Sequence, residues 1–160
     1  MWGLTNLGQR LLASASEDGD ALIWDLQSGQ CVAALRTNCP LRSIDAYQPD
    51  LTSDLFYLVI GDASGKVTLC SAGQNDIREL ASFKAHDAAV RRVRFFHHGV
   101  LATCGEDNRL RIWSTNSSQL IHEDVYGNFV TDVLDLQDGT VVSCGYDGEL
   151  RWGQLPVSAG

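Results

Sequence analysis

The chain has 160 residues, 44% hydrophobic and 20% charged, which is the composition of a folded globular domain and not of a disordered chain. Twenty acidic residues against twelve basic ones give a net charge of −8, which disfavours a large nucleic-acid footprint and attachment to anionic membrane surfaces. No apolar run is long enough to span a bilayer, and residues 1–4 lack the basic stretch and apolar core of a secretory signal.

Four similar units follow one another along the chain. The first holds an apolar run from Leu12, the turn pair Asp18-Gly19, and a second run ending Ile23-Trp24-Asp25. The second holds Leu58-Val59-Ile60, the turn Ser64-Gly65, and a run through Val67 and Leu69 to Cys70. The third holds Leu101-Ala102-Thr103-Cys104, the turn Asp107-Asn108, and Arg109-Leu110-Arg111-Ile112-Trp113. The fourth holds Val141-Val142-Ser143-Cys144, the turn Asp147-Gly148, and Glu149-Leu150-Arg151-Trp152-Gly153. The equivalent positions 24, 70, 113 and 153 are spaced 46, 43 and 40 residues apart.

Each unit reads as short antiparallel strands. Asp-Gly, Ser-Gly and Asp-Asn pairs tolerate positive φ and make tight hairpin turns. Apolar residues alternate with polar ones after the turn, as Leu110 and Ile112 do with Arg109 and Arg111. A further strand precedes each unit with apolar residues spaced three and then two apart, as in Val90, Val93 and Phe95, or Leu41, Ile44 and Ala46. Another follows a polar turn, as at 31–35. Helical periodicity is absent, so the predicted fold class is all-β with four-stranded units.

This pattern resembles the WD40 repeat family of β-propellers over essentially the whole chain. The third unit carries the resemblance best, with Ala85-His86 near its start, Asp107 in its turn and Trp113 at its end; Trp24-Asp25 supplies the namesake dipeptide. The second unit lacks the His, the turn Asp and the Trp. The fourth lacks the His and has Gly153 where Trp belongs. The resemblance implies blades at about residues 1–36, 40–83, 86–124 and 128–155, with 156–160 as a short tail. Propellers of this family usually have about seven or eight blades. The chain is therefore expected to form an incomplete ring, the C-terminal half of a longer propeller, or else one of two copies that together build eight blades.

A hydroxyl, a His and an Asp at Thr103, His86 and Asp107 have the makings of a catalytic triad. Threonine is a poor nucleophile without a strong base. The resemblance instead implies a structural tetrad of His86, Thr103, Asp107 and Trp113. No catalytic residue, cofactor or metal is expected. His97-His98 read as a turn before Gly99, without Cys, Asp or Glu at ligand spacing, and His122 lies in an outer strand. Residues 61–66 fit neither the P-loop nor the dinucleotide spacing. Arg91, Arg92 and Arg94 form a basic cluster suited to a few local carboxylate or phosphate contacts. The five cysteines include no CxxC pair, and Cys104 and Cys144 read as one small buried repeat position. They point to free thiols in a reducing compartment, the cytoplasm or nucleus.

The resemblance also implies partner-contacting residues on one propeller face, flanking the first apolar residue of the innermost strand and preceding the turn Asp. These are Trp2 and Glu17 in the first unit, Pro40, Arg42 and Ala63 in the second, Ala89, Arg91 and Glu106 in the third, and Phe129, Thr131 and Tyr146 in the fourth. Aromatics and Arg are the usual anchors of protein interfaces. The implied function is a non-enzymatic scaffold that docks partner proteins or peptides. The alternatives are a regulatory or sensor module of a larger signalling protein, and a propeller-based hydrolase. The hydrolase needs convergent acids at the central opening, where Asp45, Asp132 and Asp135 do not recur from unit to unit.

Overall fold

The computed structural model describes residues 1–96, 99–136 and 138–155. The His97-His98 turn and the 156–160 tail lie outside the described residues. Fifteen strands form four antiparallel sheets among the described residues. Blade one is β1 (Gly3–Leu7), β2 (Leu11–Ala15), β3 (Asp20–Asp25) and β4 (Gln30–Arg36). Blade two is β5 (Leu41–Tyr47), β6 (Phe56–Asp62), β7 (Lys66–Ala72) and β8 (Ile77–Lys84). Blade three is β9 (Val90–Phe96), β10 (Val100–Gly105), β11 (Arg109–Ser114) and β12 (Leu120–Val125). Blade four is β13 (Val130–Asp135), β14 (Thr140–Gly145) and β15 (Leu150–Gln154). Within each sheet the strands lie in chain order.

The hairpin between the second and third strand of every blade turns at an equivalent residue with positive φ. Gly19, Gly65, Asn108 and Gly148 stand at 89°, 90°, 64° and 78°. Glycine takes that conformation without strain, and asparagine is among the side chains that tolerate it. Asp18 and Asp147 then accept the backbone N–H two residues on, which fastens the turn.

The core lies between blades, not within one. Alternate residues of a strand face opposite neighbours, so β6 sends Leu58 and Ile60 towards blade one and Val59 towards blade three. Val59 and Val67 pack with Leu101, Val93 and Trp113 across the second junction. Ala102, Cys104, Leu110 and Ile112 pack with Tyr126, Val133 and Val141 across the third. Strands buried on both faces read as continuous apolar runs, which is why β6 and β10 look so uniform in sequence. Cys104 is buried, as its sequence context suggests. Cys144 is only half-buried, a correction to the reading of both as buried: its side of β14 faces away from the core shared with blade three.

The innermost strands stand side by side in the order β1, β5, β9, β13, and β1 does not pack on β13 in this way. The blades thus form an incomplete ring. An innermost strand has a sheet partner on one side only, and side chains of the preceding blade satisfy part of its other edge. Val93 N–H donates to Ser43 Oγ at 3.1 Å, and Phe95 N–H donates to Asp45 Oδ2 at 2.8 Å. Burial pushes the Asp45 carboxyl above its ordinary value against the bond from Phe95. At the far flank, β15 is the last strand of its sheet, with Leu150 61% and Trp152 72% exposed.

Candidate functional site

Antiparallel connection brings the turns after β2, β6, β10 and β14 to one end of the blades, together with the loops that link one blade to the next. On this upper face a backbone bond recurs. The residue before the turn Asp position donates its N–H to the residue before the innermost strand: Ala63 to Pro40, Glu106 to Ala89, Tyr146 to Phe129, at 2.8–2.9 Å. That bond holds the sequence-predicted face residues of blades two, three and four next to one another.

Two clusters rise from this face. In the first, the Arg42 guanidinium lies 4.8 Å from the centre of the Trp2 ring and donates to Glu17 Oε2 at 2.5 Å. The Trp2 indole N–H donates to the same carboxylate. The cluster ties blade one to blade two, yet leaves Trp2 54% exposed. In the second, Arg91 Nε lies 2.9 Å from Glu106 Oε1, and its guanidinium lies 5.9 Å from the Tyr146 ring. Phe129 meets Tyr146 edge-on at 5.9 Å, with Phe129 half-buried and Tyr146 61% exposed. Pro40, Ala63 and Ala89 are half-buried small residues of blades two and three, between the clusters. Thr131 turns inward, its hydroxyl donating to the Cys144 carbonyl at 3.2 Å. Of the other two arginines in the basic run, Arg92 donates to Asp132 at 3.0 Å and Arg94 lies 3.9 Å from the same carboxylate.

Below this face, blade three holds a continuous hydrogen-bond chain. Trp113 Nε1–H donates to Thr103 Oγ1 at 2.9 Å. Thr103 Oγ1 lies 2.8 Å from His86 Nε2, and His86 Nδ1 lies 2.8 Å from Asp107 Oδ1. The neutral Nδ1–H tautomer satisfies the Thr103 and Asp107 contacts: threonine donates to Nε2 and Nδ1–H donates to the carboxylate, while Arg111 Nη1, 3.1 Å from Nδ1, has its acceptors elsewhere. Burial holds the His86 imidazole below its ordinary value, against the pull of Asp107. Burial works the other way on Asp107, but bonds from His86 and Arg111 outweigh it and hold the carboxyl below its ordinary value. Arg111 donates to Asp107 Oδ2 and to the Ala85 carbonyl at 2.8 and 2.7 Å. Thr103 is 0% and His86 1% exposed, so this network has no surface to offer a substrate.

The other blades keep pieces of it. In blade one Trp24 Nε1–H donates to Ser14 Oγ at 2.9 Å, whereas Asp18 serves only its turn. Blade two has buried Ile60 and Cys70 at the hydroxyl and indole positions, and burial pushes the Cys70 thiol up to about 12. Blade four holds a residue the sequence reading missed. The Tyr126 hydroxyl hydrogen-bonds Ser143 Oγ in the buried interior. Tyr126 stands four residues before Val130, as His86 stands four before Val90, and that shared offset was the signal available. Arg151 lies 4.0 Å over the Tyr126 ring and pairs with Asp147, repeating the Arg111–Asp107 spacing.

Residues 77–114, which run from β8 of blade two through β9, β10 and β11 of blade three, match the family model described as "WD domain, G-beta repeat". The chain carries WD40 repeats. It is similar to nuclear distribution protein PAC1 of Zygosaccharomyces rouxii, 30% identical, with 69% of this chain and 31% of that protein covered. It is also similar to mouse apoptotic protease-activating factor 1, 29% identical, with 63% of this chain and 8% of that protein covered. The chain thus spans less than a third of either relative. In fold it is similar to the computationally designed Ika4 protein, at a TM-score of 0.77 and 20% identity, covering 96% of this chain and 90% of that one. The WD40 blades therefore account for the tetrad, the turns and the inter-blade core together.

Proposed function

We propose that these WD40 blades form a non-enzymatic interaction module that docks peptide segments of partner proteins on the upper face. The observation that carries this reading is the pair of aromatic–arginine–glutamate clusters, Trp2/Arg42/Glu17 and Tyr146/Arg91/Glu106, whose Trp2 and Tyr146 rings are more than half exposed. Exposed Trp and Tyr held in place by Arg are the composition of interface hot spots. The arginines are already paired, which orients the rings and leaves little net charge. Such a surface favours a peptide with apolar anchors over a highly charged one. The small residues between the clusters give an extended segment a low path from one to the other.

A partner is also proposed for the blade flanks: the remainder of a propeller, or a second copy of this chain, packing against blade one and blade four to complete the ring. Exposed Leu4 on β1 and Leu134, Leu150 and Trp152 on blade four support it. The solution mass separates a second copy from a single chain. Five free thiols support residence in a reducing compartment, the cytoplasm or nucleus. No helix among the described residues is long and apolar enough to cross a membrane.

The test is affinity capture with the full-length gene product, set against a Trp2→Ala, Phe129→Ala, Tyr146→Ala variant. Bound partners should fall by about tenfold or more, the effect of losing one or two hot spots. An unchanged set of partners overturns the upper-face reading.

A further inference from the structure

We propose that blade four contains a preformed binding site for a neutral indole ring, in the cavity left where Gly153 replaces the repeat's tryptophan. Trp113 shows what belongs in such a place. Its side chain packs across the junction on Val67, Leu69 and Phe83 of blade two, with the Phe83 ring 4.8 Å away. One blade further on, the residues equivalent to Val67, Leu69 and Phe83 are Leu110, Ile112 and Asp124, by their positions in the paired strands. Those three line a cavity of about 300 Å³ between blades three and four, together with Tyr126, Val141, Ser143 and Gly153. A dry protein cavity of about 150 Å³ suffices to bind benzene, so this one has room for a bicyclic ring.

The hydrogen-bond partner is also in place. In blades one and three the indole N–H donates to the hydroxyl of Ser14 or Thr103, each at 2.9 Å. Ser143 occupies that position in blade four and is 4% exposed. Its oxygen is engaged by the Tyr126 hydroxyl, and a hydroxyl oxygen has a second lone pair to accept another donor. A Cβ built on Gly153 meets nothing within 4 Å, and Gly153 is absent from the glycines with positive φ, so its backbone suits a larger residue. The charged groups on the wall already have partners: His122 Nε2 lies 3.2 Å from Asp124 Oδ2, and Arg151 pairs with Asp147 and Glu149, so none is left to hold a charged ring. The ligand class is therefore a neutral planar bicycle with one N–H donor.

Free indole is the probe, added to the full chain and followed by calorimetry and methyl NMR. Indole should shift the Leu110, Ile112 and Val141 methyl signals and leave those of Val59 and Val67 in place. Benzothiophene, which has the shape but not the N–H, should bind about tenfold more weakly, the effect of one buried hydrogen bond left unmade. Gly153→Trp should melt higher than the unmodified chain and no longer respond to indole. The proposal is overturned if indole moves neither set of methyls or both, if benzothiophene binds as well as indole, or if folded Gly153→Trp still binds indole.

Discussion

In blade three a buried imidazole stands between Thr103 and Asp107; at the same offset in blade four a phenol, Tyr126, reaches Ser143 and stops there. Blade three runs an unbroken line of donors from indole to carboxylate. Blade four divides the equivalent positions into two local pairs, Tyr126–Ser143 and Arg151–Asp147, with a cavity in place of the indole. The difference teaches what the tetrad contributes. The β10–β11 and β14–β15 hairpins hold equivalent registers in both blades, so the register survives without a complete network. What the complete network adds is a filled junction and a hydrogen-bond partner for each of its own side chains.

The two tryptophans break the comparison most sharply. Trp113→Ala should cost about 3–5 kcal/mol, because it empties a packed junction and leaves Thr103 without its donor. Trp152→Ala should stay within about 0.5 kcal/mol, since that ring is 72% exposed. Urea unfolding midpoints of the two variants measure the contrast, and equal losses would mean that β15 is held by something other than its sheet pairing.

Acid should come next. An imidazole held neutral in the folded chain takes up a proton more readily once unfolded. Stability therefore falls as pH drops below the ordinary histidine value of 6.5, and this loss levels off below the lower folded value. Asp107 adds a second loss: its contribution is complete above the ordinary value of 3.8 and disappears as pH falls through the folded value. Tyr126, whose hydroxyl burial pushes above 10, stays neutral throughout and contributes no such loss. Melting temperatures between about pH 7.5 and about pH 5 should decline less in His86→Gln than in the unmodified chain. An equal decline would assign the acid response to groups outside blade three.

The smallest effect sharpens the other side of the comparison. Tyr126→Phe and Ser143→Ala should each cost about 1 kcal/mol, and the double variant little more than either, because both remove one hydrogen bond. Fully additive losses in a double-mutant cycle would show that the two hydroxyls act independently.

Much of the fold was legible because its determinants are local. The turn glycines, Asn108 and the alternating runs place the hairpins within each unit, and the spacing of 46, 43 and 40 residues counts the blades. The tetrad could be named from the resemblance because blade three keeps all four residue types. Tyr126 is hidden in the repeat pattern because a phenol doing part of the histidine's work leaves no histidine at that position. Cys144 was read as buried because its context matches that of Cys104, although the two strands have different neighbours.

By itself the sequence determined four repeated β units and a net acidic charge, and its resemblance to the WD40 family pointed to the end of each blade that carries the proposed face residues. Period-two alternation and turn chemistry act between residues close in the chain, so they can be read along it. Only the tertiary structure decided that Arg42 shares Glu17 with Trp2 across a junction, that Arg91 leans towards Tyr146 of the next blade, and that the absent indole leaves an open cavity. Those outcomes depend on how separate sheets pack, where the partners lie tens of residues apart and close packing, not spacing, selects them.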